Sequence, residues 1–283
     1  MNWLSKWCKK PEKPSPELTP SPKPLACLQS DVGCVRSNNE DNGRVVFAGN
    51  GNRGLLVVVA DGMGGYEAGE VASQTAVETI AQVYPEAKGT PGEALKQAFL
   101  RAHEKIRKLA ADNPGMAGMG TTCTALALVG KEAWAAHVGD SRLYLARGSG
   151  IYQLSEDHTA IMEMVRQGLL SAEEAKRHED RNVLIRAMGT KPELLLMLWP
   201  EPMDVRPGDI FVMCSDGLHD LVQDEEIRAV VHGALPEEAC HKLVQMARER
   251  GGYDNVTVAV VLAEAANSPP AFLKETRGIE VKP

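Results

Sequence analysis

Apolar residues in this chain collect into short blocks punctuated by glycine. The run LLVVVA (55–60) predicts a buried strand. TTCTALALVG (121–130), EAWAAHVG (132–139) and SRLYLAR (141–147) predict three consecutive strands. Short turns at Gly130-Lys131 and Gly139-Asp140 suggest that these form a meander. IYQLS follows as a further strand, and 194–198, 209–214 and 255–262 complete the set. Leu95, Phe99, Ala102, Ile106 and Leu109 recur at helical spacing, which predicts an amphipathic helix over 92–111. Helical character also marks 67–84, 159–167, 171–177, 224–232 and 236–249. Strands in runs, with helices between the runs, predict an α+β fold rather than a regular βαβ alternation.

Three aspartates stand at the ends of apolar blocks: Asp61 after LLVVVA, Asp216 after DIFVMCS and Asp254 before NVTVAVV. A carboxylate at a strand end is held by the sheet yet faces a cleft. Three such groups from distant segments could converge, and gathered carboxylates repel unless something positive sits between them. No Lys or Arg lies inside the three segments. The economical partner is a hard divalent cation, Mg²⁺ or Mn²⁺, which prefers oxygen ligands.

Composition narrows the setting. The 283 residues allow one large domain or two small ones. Of these, 43% are hydrophobic and 24% charged, the balance of a soluble globular protein. The net charge of −7 argues against a nucleic-acid-binding surface. The six cysteines include no CxxC pair, so a zinc site is not expected. Cys123 and Cys214 lie in apolar runs and read as buried small hydrophobes. No secretory or membrane-spanning run exists, so a cytoplasmic location is expected.

Residues 1–25 form a tail and linker, in which PEKPSPELTPSPKP (11–24) is rich enough in proline to act as a semi-rigid spacer. The tip, residues 1–10, carries Trp3, Leu4 and Trp7 among lysines. It reads either as a docking or membrane-touching peptide or as a plain tail. One domain is expected over 26–265, and 266–283 reads as a C-terminal tail.

Several smaller motifs carry candidate chemistry. In DGMGG (61–65) the glycines let the backbone approach a ligand, so Gly62 could offer its carbonyl to the cation that Asp61 binds. A phosphate-cradling loop is excluded, because no Gly-Lys-Ser/Thr follows. In NNEDN (38–42), Glu40 and Asp41 are adjacent, and only one would face the site from a strand. Asp140 sits in VGDSR, where a hairpin turn would need no function, and Ser141 lacks the context of a nucleophile. His137 reads as a satisfied core histidine. Asp216 could be a simple helix N-cap, with Asp220 four residues on and on the same helical face.

Together, RSNNEDN, VVVADGMGG, GTTCTAL, HVGDSRLYL, LIRAMG, CSDGL and YDNVTVAVV occur in an order that closely resembles the metal-dependent type 2C protein phosphatases. The resemblance spans about residues 28–263 and looks like the bacterial branch. It implies a central β-sandwich flanked by helices on both outer faces. It implies a phosphoserine/phosphothreonine phosphatase that acts through a metal-bridging hydroxide, opposes a bacterial Ser/Thr kinase and works as a monomer on phosphorylated proteins. By the same resemblance Asp61 bridges two Mn²⁺ or Mg²⁺ ions, Gly62 gives a carbonyl ligand, and Asp216 and Asp254 hold one of the metals. Glu40 and Asp41 act mainly through metal-bound water, Arg36 binds the substrate phosphate, and Asp140, with Asp220, serves a third, weaker metal. Met63 stands where many eukaryotic members have histidine, and it cannot donate a proton. His178-Glu179 replaces the His-Pro often found in the flap-like segment 160–190 of bacterial relatives. Alternatives are a related phosphatase acting on a sigma-factor antagonist, a pseudophosphatase that only binds, and a two-metal nuclease. No metal aspartate is lost, which speaks against the second. The acidic balance speaks against the third.

Overall fold

The computed structural model describes residues 25–48, 53–65, 68–175 and 177–263. The tip at 1–10, the proline-rich linker, Glu67 and the tail at 266–283 lie outside the described residues.

Twelve strands build two sheets among the described residues. The first sheet has the order β1-β12-β11-β7-β8, from β1 (Leu25–Asp31), β7 (Arg142–Arg147), β8 (Gly150–Gln153), β11 (Ile210–Cys214) and β12 (Val256–Leu262). The second has the order β10-β6-β5-β3-β2, from β2 (Asp41–Phe47), β3 (Leu55–Met63), β5 (Cys123–Val129), β6 (Glu132–Val138) and β10 (Met203–Asp204). Two short pieces join it: β4 (Gly120–Thr121) on β3 and β9 (Met197–Leu198) on β6. Every pairing is antiparallel.

The two sheets face each other across one core layer. Leu55, Val57, Val59 and Leu126 from one sheet meet Leu143, Phe211, Met213 and Val261 from the other. The alternate residues of β3, Leu56, Val58 and Ala60, point outward and pack under helices. This two-sided burial is why 55–60 is apolar at every position. The outer layer over β3 and β5 is α1 (Ala68–Glu86) and α2 (Pro91–Asp112), which bring Ile80, Tyr84, Leu95, Phe99 and Ile106. The N-terminus of α2 is fixed by a capping box between Thr90 and Glu93, with Pro91 in the first turn. On the opposite outer face, α6 (Asp224–His232) and α7 (Pro236–Glu249) cover the first sheet through Ile227, Cys240, Leu243 and Val244. The short α5 (Asp216–His219) follows β11 directly. Two more helices, α3 (Ala160–Arg166) and α4 (Ala172–Ala175), belong to the polar stretch after β8. The fold is thus α+β, a β-sandwich with helices on both outer faces, as the resemblance implied.

Three local expectations need correction. β6 and β7 do not pair; they belong to opposite sheets, so Gly139-Asp140 is a corner between sheets and not a meander turn. Gly139 takes φ +109°, and a Cβ there would meet the Thr122 side chain at 2.5 Å. Only Met197–Leu198 of the expected strand 194–198 pairs, because Leu194 and Leu196 turn onto the α2 side of the core. Ser215, not Asp216, is the N-cap of α5; Asp216 is its first helical residue.

Candidate active site

At one end of the sandwich the strand termini carry the aspartates. Asp41 and Asp61 are cross-strand partners in the β2–β3 ladder. Like charges directly opposite repel, so this register needs outside support. Asp61 is held through its backbone: its N–H donates to Thr122 Oγ1 at 2.9 Å, and its carbonyl accepts from Thr122 N–H and Thr121 Oγ1, both at 2.8 Å. Asp41 is buried and takes a hydrogen bond from Ser215 Oγ at 2.6 Å, which reaches across from the other sheet. Ser215 Oγ in turn accepts from Thr257 N–H at 2.9 Å. The second carboxylate oxygen of Asp41, Oδ1, is buried with no hydrogen-bond partner.

Asp216 leaves β11 and Asp254 precedes β12, its neighbour in the first sheet. Gly217 makes this closeness possible, since a Cβ there would collide with the Asn255 carbonyl. Asn255 ties the loops together. Its side chain accepts from Glu40 N–H at 2.8 Å and donates to the carbonyls of Val32 and Asn38 at 3.0 and 2.9 Å. Asp140 arrives at the sheet-to-sheet corner, where its carbonyl accepts from His219 Nε2–H at 3.1 Å. Gly62 has no room for a side chain, because the carbonyls of Gly69 and Glu40 crowd its Cα.

The electrostatics are those of an undercompensated anionic cluster. Burial, then repulsion from Asp41, Asp216, Asp140 and Asp254, pushes the Asp61 carboxyl well up. Asp216 is raised well above its ordinary range by burial and then by Asp140, Asp254 and Asp220. Burial lifts Asp41 to about 6 and Asp140 to about 7. Glu40 is also raised, mainly by burial, while Arg36 pulls the other way. Two arginines stand at the rim. Arg36 Nη2 contacts Asp254 Oδ2 at 2.7 Å, and Arg181 Nη2 contacts Asp220 Oδ2 at 2.9 Å.

The structure therefore brings Asp41, Asp61, Asp140, Asp216 and Asp254 within mutual electrostatic reach. Glu40 lies beside them, with its carboxylate close to Gly69 at the start of α1. Asp220 is engaged by Arg181 and by Asn182 Nδ2 at 3.1 Å, and Asn182 also reaches Asp216 Oδ2 at 3.4 Å. Arg36 does not stand free; it is paired with Asp254. Among the described residues, no three Asp, Glu, His or Cys side chains are gathered tightly enough to hold an ion as they stand. The donor set nevertheless fits a hard cation. It is all oxygen, it is short of positive charge, and it contains an orphaned buried carboxylate oxygen on Asp41.

Some contributors carried no signal in the sequence. Ser215, Thr257 and Asn255 act through long-range hydrogen bonds that no local pattern announces. Arg181 and Asn182 lie in the aperiodic stretch after β8. Their only local mark is their adjacency, as a cation and an amide, within HEDRNV. Ser141 is buried and bonded to Thr122 Oγ1 at 2.6 Å, and His137 is buried between Thr124 and two carbonyls, so both serve the core.

A family model described as protein phosphatase 2C matches residues 35–251. The chain is 38% identical over 234 residues to the serine/threonine protein phosphatase PstP of Mycobacterium tuberculosis, which covers 82% of this chain but 43% of that protein. It is 35% identical over 243 residues to the protein phosphatase PhpP of Streptococcus pneumoniae, covering 83% and 95% of the two chains. Among solved structures, the catalytic domain of PstP in complex with two manganese ions superposes with a TM-score of 0.75 at 35% identity, covering 86% of this chain and 99% of that one.

Proposed function

This chain belongs to the protein phosphatase 2C family, in its bacterial branch, and we propose that it is a metal-dependent phosphatase of phosphoserine and phosphothreonine proteins. One observation carries the reading: five aspartates from both sheets and from the corner between them converge at one end of the sandwich with too little positive charge around them. Support comes from the relatives, one of which is described as holding two manganese ions.

Asp61 with the Gly62 carbonyl, and Asp216 with Asp254, would hold two Mn²⁺ or Mg²⁺ ions; Asp140 with Asp220 would serve a third, weaker site. Such ions supply Lewis acidity, lower the pKa of bound water and offset the charge of a phosphate dianion. The chain's own residues do the remaining work. Arg36 offers charge-assisted hydrogen bonds to the phosphate and must exchange Asp254 for it. Asp41, with one oxygen on Ser215 and one unpartnered, and Glu40 beside it can accept hydrogen bonds from water in the site. Met63 has no proton to give, so it does not protonate the leaving oxygen. We read the physiological role as opposing a Ser/Thr kinase, with the enzyme acting as a cytoplasmic monomer.

A phosphothreonine peptide assay tests this reading. Turnover should appear with added Mn²⁺, vanish in excess EDTA, and fall by orders of magnitude in Asp61→Asn. Full activity in EDTA, or in that variant, would refute it.

A further inference from the structure

The seam between β1 and α7 holds a second pair of reactive groups, remote from the acid cluster. Cys27, Gln29 and Asp31 alternate along β1 and share one face. Cys240, Val244 and Arg248 recur four apart on α7 and share one stripe. The two rows meet. At one end Arg248 Nη1 donates to Asp31 Oδ2 at 3.0 Å. At the other end Cys240 Sγ lies 3.5 Å from the Cys27 carbonyl and 3.6 Å from that of Val258. Cys27 packs against the same apolar cluster to which Cys240 belongs. β1 is the edge strand of its sheet, and a cavity of about 540 Å³, bordered by Gln29, Asp31, His241, Val244 and Arg248, opens along the seam.

We propose that Cys27 and Cys240 form a reversible dithiol–disulfide pair, closed by a hydroperoxide, that staples β1 to α7. Cys27 is half-buried and Cys240 is buried, so Cys27 is the point of entry. Burial, with the Cys27 thiol against it, pushes the Cys240 thiol well up and makes it a slow first reactant. The Cys27 thiolate attacks one peroxide oxygen, the O–O bond breaks, and Cys27 becomes a sulfenic acid while one water or alcohol leaves. Cys240 sulfur then attacks the sulfenic sulfur. The S–S bond forms, the S–O bond breaks, and hydroxide leaves as water with the Cys240 proton. Two thiols lose two electrons and one peroxide gains them. Thiol exchange reopens the bond.

The pair sits where cross-linking would be felt. β1 runs into the loop that carries Arg36, and α7 runs into Gly251, Gly252 and Asp254. Those loops already touch through Cys34 N–H on the Gly252 carbonyl at 2.7 Å. A bond between Cys27 and Cys240 would set the spacing of both supports at once.

The test is non-reducing peptide mapping of the full chain after hydrogen peroxide treatment and alkylation. The expected result is one dominant Cys27–Cys240 linked peptide, removed by dithiothreitol and absent from Cys27→Ser. The melting temperature should rise by about 5 °C or more, because the bond closes a long loop. Cys34, exposed on the same seam, is the internal comparison and should be found unlinked. Bonds from Cys27 to Cys8 or Cys34, or oxidation of Cys27 while Cys240 stays alkylatable, would overturn the proposal. The wild-type map decides even if the serine variant folds poorly. The readout is mass, so it stands apart from the phosphatase reading.

Discussion

Asp41 shows most directly how the site strains the chain. One of its oxygens is bonded to Ser215 and the other is buried alone, so ionisation is costly and its carboxyl rises to about 6. A carboxyl raised above its unfolded value contributes stability that is full below about pH 4 and is lost as pH climbs through about 6. EDTA-stripped protein should therefore melt at lower temperature at pH 7 than at pH 5, and Asp41→Asn should flatten that slope. An unchanged slope in the variant would assign the effect to other groups. Arg36 belongs to the same scale. Its ion pair with Asp254 is half-exposed, so breaking it costs little stability. Arg36→Ala should raise KM for phosphopeptides more than it lowers kcat; a pure kcat loss would place the arginine in transition-state stabilisation instead.

At the scale of elements, the corner between β6 and β7 decides how Asp140 is delivered. Gly139 at φ +109°, pressed on Thr122, lets the chain leave one sheet and enter the other within two residues. Gly139→Ala should cost ~1–3 kcal/mol in urea unfolding, since it adds both backbone strain and a clash. Stability equal to the parent protein would show that the corner can relax. This corner also shows where sequence reading stops. The strands on both sides were legible from their apolar runs, yet nothing local says that they join different sheets, because turn length alone fits a hairpin. β3 was legible because burial on both faces makes every residue apolar. β1 was not, since LACLQSD at a sheet edge has only a weak pattern. The aspartates at strand ends were visible as positions. The Ser215, Asn255 and Arg181 contacts were not, because each spans a long stretch of sequence.

For the whole molecule, the register of β1 on β12 sets where the chain enters and leaves. Asp31 faces Val256 near the carboxylates, while Leu25 faces Leu262 at the far end of the same ladder. Seven residues of strand separate the two ends by ~20 Å. Deleting residues 1–24 should leave hydrolysis of p-nitrophenyl phosphate unchanged; a truncated protein that loses this activity would show that the segment packs on the site. The same layout fixes a facing direction. Leu25 and Leu262 both lie at the back of the sandwich, so a molecule attached to a bead or a surface at either of these residues would present its acidic mouth forward, toward solution. Its targets would be whatever approaches from the front, not the object to which it is moored.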